Sequence, residues 1–289
     1  MRRRFQQVDG FGLRPYTGNP VAVVIDGEGL TYEQMVQLTR WTNLSEATFL
    51  LPPTLPEADY RVRIFTLAGE LPFAGHPTLG SCHAWLTAGG RPRSADRIVQ
   101  ECGVGLVPLR RREGVLYFAA PPLIRSGPLE DELLSYLARG LGLRREEIVD
   151  AAWVDNGPGW VGLLLRDAEA VLAVEPAFER HTGPGTLDIG LVGMYPPGAE
   201  CAIEVRALFS DEHGLLREDP VTGSLNASLA QWLLGNGRMR APYVASQGTR
   251  LGRLGRPRIE QDADGTIWIG GATHTCISGV IEFEEVADG

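Results

Sequence analysis

One pentapeptide pattern, written twice, limits what this chain can fold into. Pro77-Thr78-Leu79-Gly80-Ser81 and Pro220-Val221-Thr222-Gly223-Ser224 share Pro-x-x-Gly-Ser and lie roughly half a chain apart. An ionisable residue precedes each copy, His76 in the first and Asp219 in the second. Each copy opens an apolar, alanine-rich stretch that reads as a helix, and Ala84 with Ala227 and Leu86 with Leu229 continue the register. The pattern predicts a duplicated domain whose two helix N-termini serve one site. Such an end carries unpaired amides and about half a positive charge, so it suits a small carboxylate or a developing enolate. Proline in a first turn with glycine nearby is also an ordinary way to start a helix.

The chain of 289 residues is long enough for two lobes. Val21 to Ile25 is a continuous apolar run, as in a strand buried on both faces. Thr31 and Gln34 form a capping-box signature, followed by Met35, Leu38 and Trp41 at helical spacing, so a helix is expected from Thr31 to Thr42. Glu46 then stands at a helix-to-strand junction. Strands are expected at Asp59–Thr66, Ile98–Cys102, Gly105–Leu109 and Val115–Ala119, and the prolines Pro121-Pro122 mark a lobe boundary. Beyond it come a helix over Leu129–Leu141 and strands that include Trp160–Leu165, Leu187–Tyr195, Cys201–Phe209 and Tyr243–Gln247. Apolar residues cover most faces of the second signature helix (Leu225, Ala227, Leu229, Ala230, Trp232, Leu233), which predicts burial inside its lobe. The expectation is an α+β fold of two similar lobes, each a β-barrel-like sheet around a central helix. Residues 1–122 with 276–289 form one lobe and 123–275 the other.

Composition removes several chemistries. The chain has no lysine, which excludes Schiff-base catalysis, lysine-bound pyridoxal phosphate and the lysine of a phosphate loop. Four scattered cysteines (Cys82, Cys102, Cys201, Cys276) read as reduced thiols without a structural metal. Net charge is −9, and the two short arginine clusters, Arg2–Arg4 and Arg110–Arg112, read as solvated ends, so no nucleic-acid partner is expected. No apolar run approaches the ~18 residues of a membrane span, and no signal-like segment opens the chain, which points to the cytoplasm.

Taken singly, the candidate residues have plain readings too. His76 could be a satisfied loop histidine, although the usual imidazole pKa suits proton transfer near neutrality. Asp219 before proline could be a helix N-cap, and Glu46 a solvated junction residue.

A resemblance separates these readings. Val8-Asp9-Gly10-Phe11 with Gly18-Asn19-Pro20-Val21, and Asn43-Leu44-Ser45-Glu46-Ala47-Thr48-Phe49, resemble segments of the PhzF-like (phenazine biosynthesis) family. So do Arg63-Ile64-Phe65-Thr66, Glu70 to Gly80, Glu218 to Ser224, Gln247-Gly248, Gly252-Arg253 and Gly270-Gly271, collinear over nearly the whole chain. The resemblance implies the diaminopimelate epimerase-like fold with its active site in the cleft between the lobes, and a homodimer. It implies a cofactor-independent isomerase acting on a small carboxylate-bearing substrate, with Glu46 as the acid/base and His76 and Asp219 as its catalytic companions. Asn19, Gly75, Gly80, Gly223 and Ser224 are the expected substrate-binding residues. Epimerase relatives use two thiols at the helix starts, and neither start carries cysteine here. An epimerase or racemase, or a non-catalytic binder on the same fold, are the rival readings.

Overall fold

A computed structural model of the chain describes residues 1–177, 181, 186–211 and 213–284. Tertiary contacts divide the chain into unit 1, Met1–Ala119 with Gly270–Gly289, and unit 2, Ala120–Ile269. The sequence reading set these limits at 122 and 276. The second limit falls earlier because the strand Thr273–Glu282 pairs along its length with Arg2–Gly10. Residues 285–289 of the expected first lobe lie outside the described residues.

Unit 1 opens with β1 (Arg2–Gly10), β2 (Asn19–Val24), α1 (Tyr32–Thr42), β3 (Glu46–Leu51) and β4 (Tyr60–Thr66). It continues through β5 (Glu70–Leu71), α2 (Gly75–Thr87), β6 (Ile98–Cys102), β7 (Gly105–Arg112) and β8 (Val115–Ala119). Unit 2 contains β9 (Arg125–Pro128), α3 (Asp131–Gly140), β10 (Ile148–Asp155), β11 (Trp160–Leu165), α4 (Ala168–Ala173) and β12 (Asp188–Met194). Then follow β13 (Ile203–Ser210), β14 (Leu216–Asp219), α5 (Gly223–Gly235), β15 (Tyr243–Gln247) and β16 (Arg258–Gln261). In β17 (Ile267–Gly271) the chain passes back to unit 1, which β18 (Thr273–Glu282) completes.

In unit 1 the sheet runs β18, β1, β2, β3, β4, β6, β7, β8, with β2–β3 and β4–β6 parallel and the other pairs antiparallel. Helix α2 touches strands at both ends of that order, β18 and β8, as well as β1 to β4, so the sheet curls around it. Its residues Leu79, Cys82 and Ala84 are fully buried, and each large apolar side chain so enclosed contributes about 1.5–3 kcal/mol. Helix α1, with the capping box in place at Thr31 and Gln34, covers the outer face through Met35 against Phe49 and Phe65. The arginines of Arg2–Arg4 belong to β1, so this stretch is a paired strand rather than a loose end. The closing Gly270-Gly271 leaves room for two rings, because a Cβ there would meet Tyr117 at 2.2 Å and Phe11 at 2.4 Å.

Unit 2 repeats the design. Its order is β9, β10, β11, β12, β13, with β11–β12 parallel, and β13 carries both short β14 and, in parallel, β15, which pairs with β16. Helix α5 is enclosed, with Leu225, Ala227, Leu229, Ala230 and Leu233 fully buried. Gly162 and Gly190 admit it: a Cβ at Gly162 would press on Trp232 and one at Gly190 on Leu225. Helices α3 and α4 cover the outer face through Leu134, Leu137 and Val171.

The ladders correct the register in which the duplication was read. Ile64 of β4 faces Leu71, and Ala207 of β13 faces Asp219. Glu70-Leu71-Pro72-Phe73-Ala74-Gly75-His76 therefore corresponds to Glu218-Asp219-Pro220-Val221-Thr222-Gly223-Ser224, and Gly75 and Gly223 each begin a helix of 13 residues. The repeated motif is Glu-x-Pro-x-x-Gly. The two Pro-x-x-Gly-Ser copies are not equivalent: Pro77 and Gly80 lie inside α2, whereas Pro220 precedes α5. Pro77 costs α2 nothing, because the amide it lacks belongs to the first turn, where no intrahelical acceptor exists.

Candidate active site

In unit 1 the site is assembled around the first turn of α2. Helices α1 and α4 begin under their own capping side chains, Thr31 and Asp167. The starts of α2 (Ala74) and α5 (Thr222) have no side-chain cap, so no capping oxygen serves their first-turn amides. Gly75 and His76 occupy that turn in α2.

The segment from Asp9 to Pro20 forms a wall beside it. Asp9, almost wholly buried, accepts from the amides of Thr17 (2.9 Å) and Gly18 (3.0 Å) and so folds the β1–β2 loop back on itself. Gly10 then sits against His76, whose Cβ and carbonyl would lie 3.5 and 3.7 Å from an added Cβ. Asn19, opposite Gly10 at the start of β2, places Nδ2 at 3.3 Å from His76 Nδ1.

Glu46 begins β3 opposite Thr66. Successive strand residues alternate faces, so Glu46 shares a face with Thr48, whose hydroxyl accepts from Ser81 of α2 at 2.9 Å. That face is the helix side. Glu46 Oε2 lies 3.3 Å from His76 Nε2, a close approach without hydrogen-bond geometry. The Glu46 side chain is 15% exposed and that of His76 4%, so the carboxylate is the more accessible of the two. Burial drives the His76 imidazole down to about 3, against the opposing effect of a hydrogen bond with the Pro20 carbonyl. The expectation that His76 titrates near neutrality is therefore corrected: the ring is neutral at physiological pH, because its enclosure disfavours the cation. A neutral ring can still orient and hydrogen-bond a neighbour.

Gly80 lies past the first turn, packed against Val21 so closely that a Cβ would meet Cγ1 at 2.3 Å. The structure gives Gly80 a packing place, which corrects its expected position at the helix end.

In unit 2 Asp219 closes β14, and Thr222 donates to its Oδ2 at 2.5 Å. The fully buried Gln247 holds this arm: its Oε1 accepts from Thr222 N (3.0 Å) and Asn226 Nδ2 (2.8 Å), and its Nε2 donates to Thr222 Oγ1 (3.0 Å) and the Asp219 carbonyl (3.3 Å). Gly248 and Gly255 crowd the same arm, since Cβ atoms there would strike the Pro220 carbonyl at 2.6 Å and Val221 at 2.4 Å. Gly223 and Ser224 form the first turn of α5. Ser224 Oγ accepts from Trp160 Nε1 at 3.1 Å and its carbonyl from Asn156 Nδ2 at 3.0 Å. Asn156, Trp160 and the clamping role of Gln247 went unread in the sequence. Only the Gln247-Gly248 pair carried a signal.

The comparisons with known proteins agree with this architecture. Residues 8–279 match the family model "Phenazine biosynthesis-like protein". Antisense-enhancing sequence 1 of Schizosaccharomyces pombe is 32% identical over 292 residues, covering 95% of this chain and 97% of that protein. Trans-2,3-dihydro-3-hydroxyanthranilate isomerase of Pseudomonas aeruginosa is 33% identical over 263 residues, covering 88% of each. The solved structure of a predicted epimerase from Pseudomonas aeruginosa matches with a TM-score of 0.79 and 27% identity, over 98% of this chain and all of that one. The chain belongs to the phenazine biosynthesis-like protein family.

Proposed function

We propose that this isomerase of the phenazine biosynthesis-like family moves a proton on a small carboxylate-bearing substrate, with Glu46 as the acid/base. The observation that carries the reading is the approach of Glu46 to a neutral, buried His76 at an uncapped helix start. Glu46 takes a proton from a substrate carbon and returns it to another position of the same conjugated system. The charge left behind is steadied by first-turn amides at Gly75 and His76, while Asn19 holds the imidazole in place. In unit 2, Asp219, Gly223 and Ser224 offer polar atoms for a ligand at the start of α5. Two curated relatives of Pseudomonas, an isomerase of trans-2,3-dihydro-3-hydroxyanthranilate in each case, make that molecule the first substrate to try.

The two-thiol route of epimerases is disfavoured. The equivalent first-turn positions hold His76 and Ser224, and burial pushes the Cys82 thiol up to about 12, far from a reactive thiolate. Glu46→Gln is expected to lower turnover by roughly 10²–10⁴-fold with the circular dichroism spectrum unchanged. Full activity in that variant would sink the assignment.

A further inference from the structure

Each enclosed helix is reached through the same side-chain fork. In unit 1, Arg63 of β4 grips Glu70, the first residue of β5, with Nε at 2.8 Å from Oε1 and Nη2 at 2.7 Å from Oε2. In unit 2, Arg206 of β13 grips Glu218 of β14 by the same two nitrogens, at 3.2 and 2.8 Å. The pairs are equivalent in the repeat: Arg63 precedes Ile64, which faces Leu71, and Arg206 precedes Ala207, which faces Asp219. An outer helix steadies each arginine. The Arg63 guanidinium lies over the rings of Phe65 (5.0 Å) and Tyr32 of α1 (5.7 Å), and Arg206 donates to the Val171 and Val174 carbonyls at the end of α4.

The fork of unit 1 joins the two strands that place Glu46 and His76. Glu46 of β3 faces Thr66 of β4, three residues along that strand from Arg63. Glu70 begins the arm that ends at His76, and the rungs of Phe65 with Glu70 and Ile64 with Leu71 hold the arm to β4. A guanidinium that holds a carboxylate at two points fixes its plane as well as its distance. The fork therefore ties the ladder that carries Glu46 to the arm that carries His76. Its worth to stability is small, because the Arg63 and Glu70 side chains are 23% and 35% exposed.

We propose that Arg63 and Glu70 are positioning residues of the unit 1 site, and that their fork sets the approach of Glu46 to His76. The proposal rests on the isomerase reading above. Arg63 shares the outer face of β4 with Phe65, whereas Glu46 is on the helix side. The fork thus acts through the arm and not on the reacting atoms. A misplacement of about 1 Å at a reacting centre costs roughly 100-fold in rate, so a weak pair can matter more to turnover than to folding.

The test uses the full chain with trans-2,3-dihydro-3-hydroxyanthranilate as substrate. Arg63→Lys keeps the charge and loses the fork, and Glu70→Gln keeps the shape and loses the charge. Each is expected to lower kcat by about 10–100-fold with KM nearly unchanged, while the urea midpoint stays close to wild type. A structural role would instead lower the urea midpoint and leave kcat as it is. Wild-type kcat in both variants overturns the proposal. A second readout does not depend on turnover. The imidazole NMR signals of His76, identified by their loss in His76→Gln, should shift in both variants, as they should in Glu46→Gln. Signals that keep their wild-type positions in Arg63→Lys and Glu70→Gln overturn the proposal, whatever the urea midpoint. Full turnover in Glu46→Gln overturns the acid/base reading instead, and the imidazole signals still decide for or against the fork.

Discussion

The starts of α2 and α5 are the same structural device finished in two ways. Both follow Glu-x-Pro-x-x-Gly, both lack a side-chain cap, and both sit inside a curled sheet. At α2 the next residue is His76, buried, neutral and beside Glu46. At α5 it is Ser224, held by Trp160 and Asn156, with the arm before it locked by Gln247. The difference teaches that duplication supplies two helix starts without side-chain caps, whereas the side chains added to each decide what surrounds it, an imidazole and a carboxylate at α2 and an indole and two amides at α5.

The comparison can be broken at His76. An imidazole enclosed as the neutral form has a folded pKa of about 3, below its unfolded value of 6.5. As pH falls below 6.5 the unfolded chain binds the proton first, so the stability contribution is intact above that value and is lost progressively towards 3. The expected slope is about 1.4 kcal/mol per pH unit, absent in His76→Gln. Urea unfolding of both proteins at pH 7 and pH 4 measures it, and equal acid sensitivity would refute the burial argument. Unit 2 has no histidine at the matching position, so its start should not share this sensitivity.

A smaller effect is expected at Gln247. Gln247→Leu leaves Thr222 N and Asn226 Nδ2 without their acceptor, at about 1–3 kcal/mol for each orphaned donor. Thermal unfolding should fall by roughly 2–4 °C for each kcal/mol lost. A Tm unchanged from wild type would show that the clamp is not needed to hold the arm. The smallest effect sharpens the register. Gly80→Ala must move Val21, and overpacking of this kind costs about 1–3 kcal/mol. Stability should fall while substrate affinity is retained; the reverse pattern would return Gly80 to the binding surface.

Much of the fold was legible because short apolar runs and caps are local. The strands Ile98–Cys102, Val115–Ala119, Trp160–Leu165 and Tyr243–Gln247 stand where their residues predicted them, and Thr31 caps α1 as its spacing required. The short β5, β9 and β14 escaped because pairing with a neighbour creates them, rather than any pattern of their own. Helix α4, of six residues, is too brief for a periodic signal.

The amino-acid sequence determined by itself that the chain carries a duplication, that each copy runs into an apolar helix, and that lysine chemistry is absent. It could not set the register of the repeat, because a chance Pro-x-x-Gly-Ser match competes with the Glu-x-Pro-x-x-Gly match until the ladders are counted. Nor could it show that Glu46 touches His76 or that His76 is neutral. Those facts arise where strands far apart in the chain meet a helix, and where enclosure changes the proton affinity of a side chain. Both are properties of the tertiary structure alone.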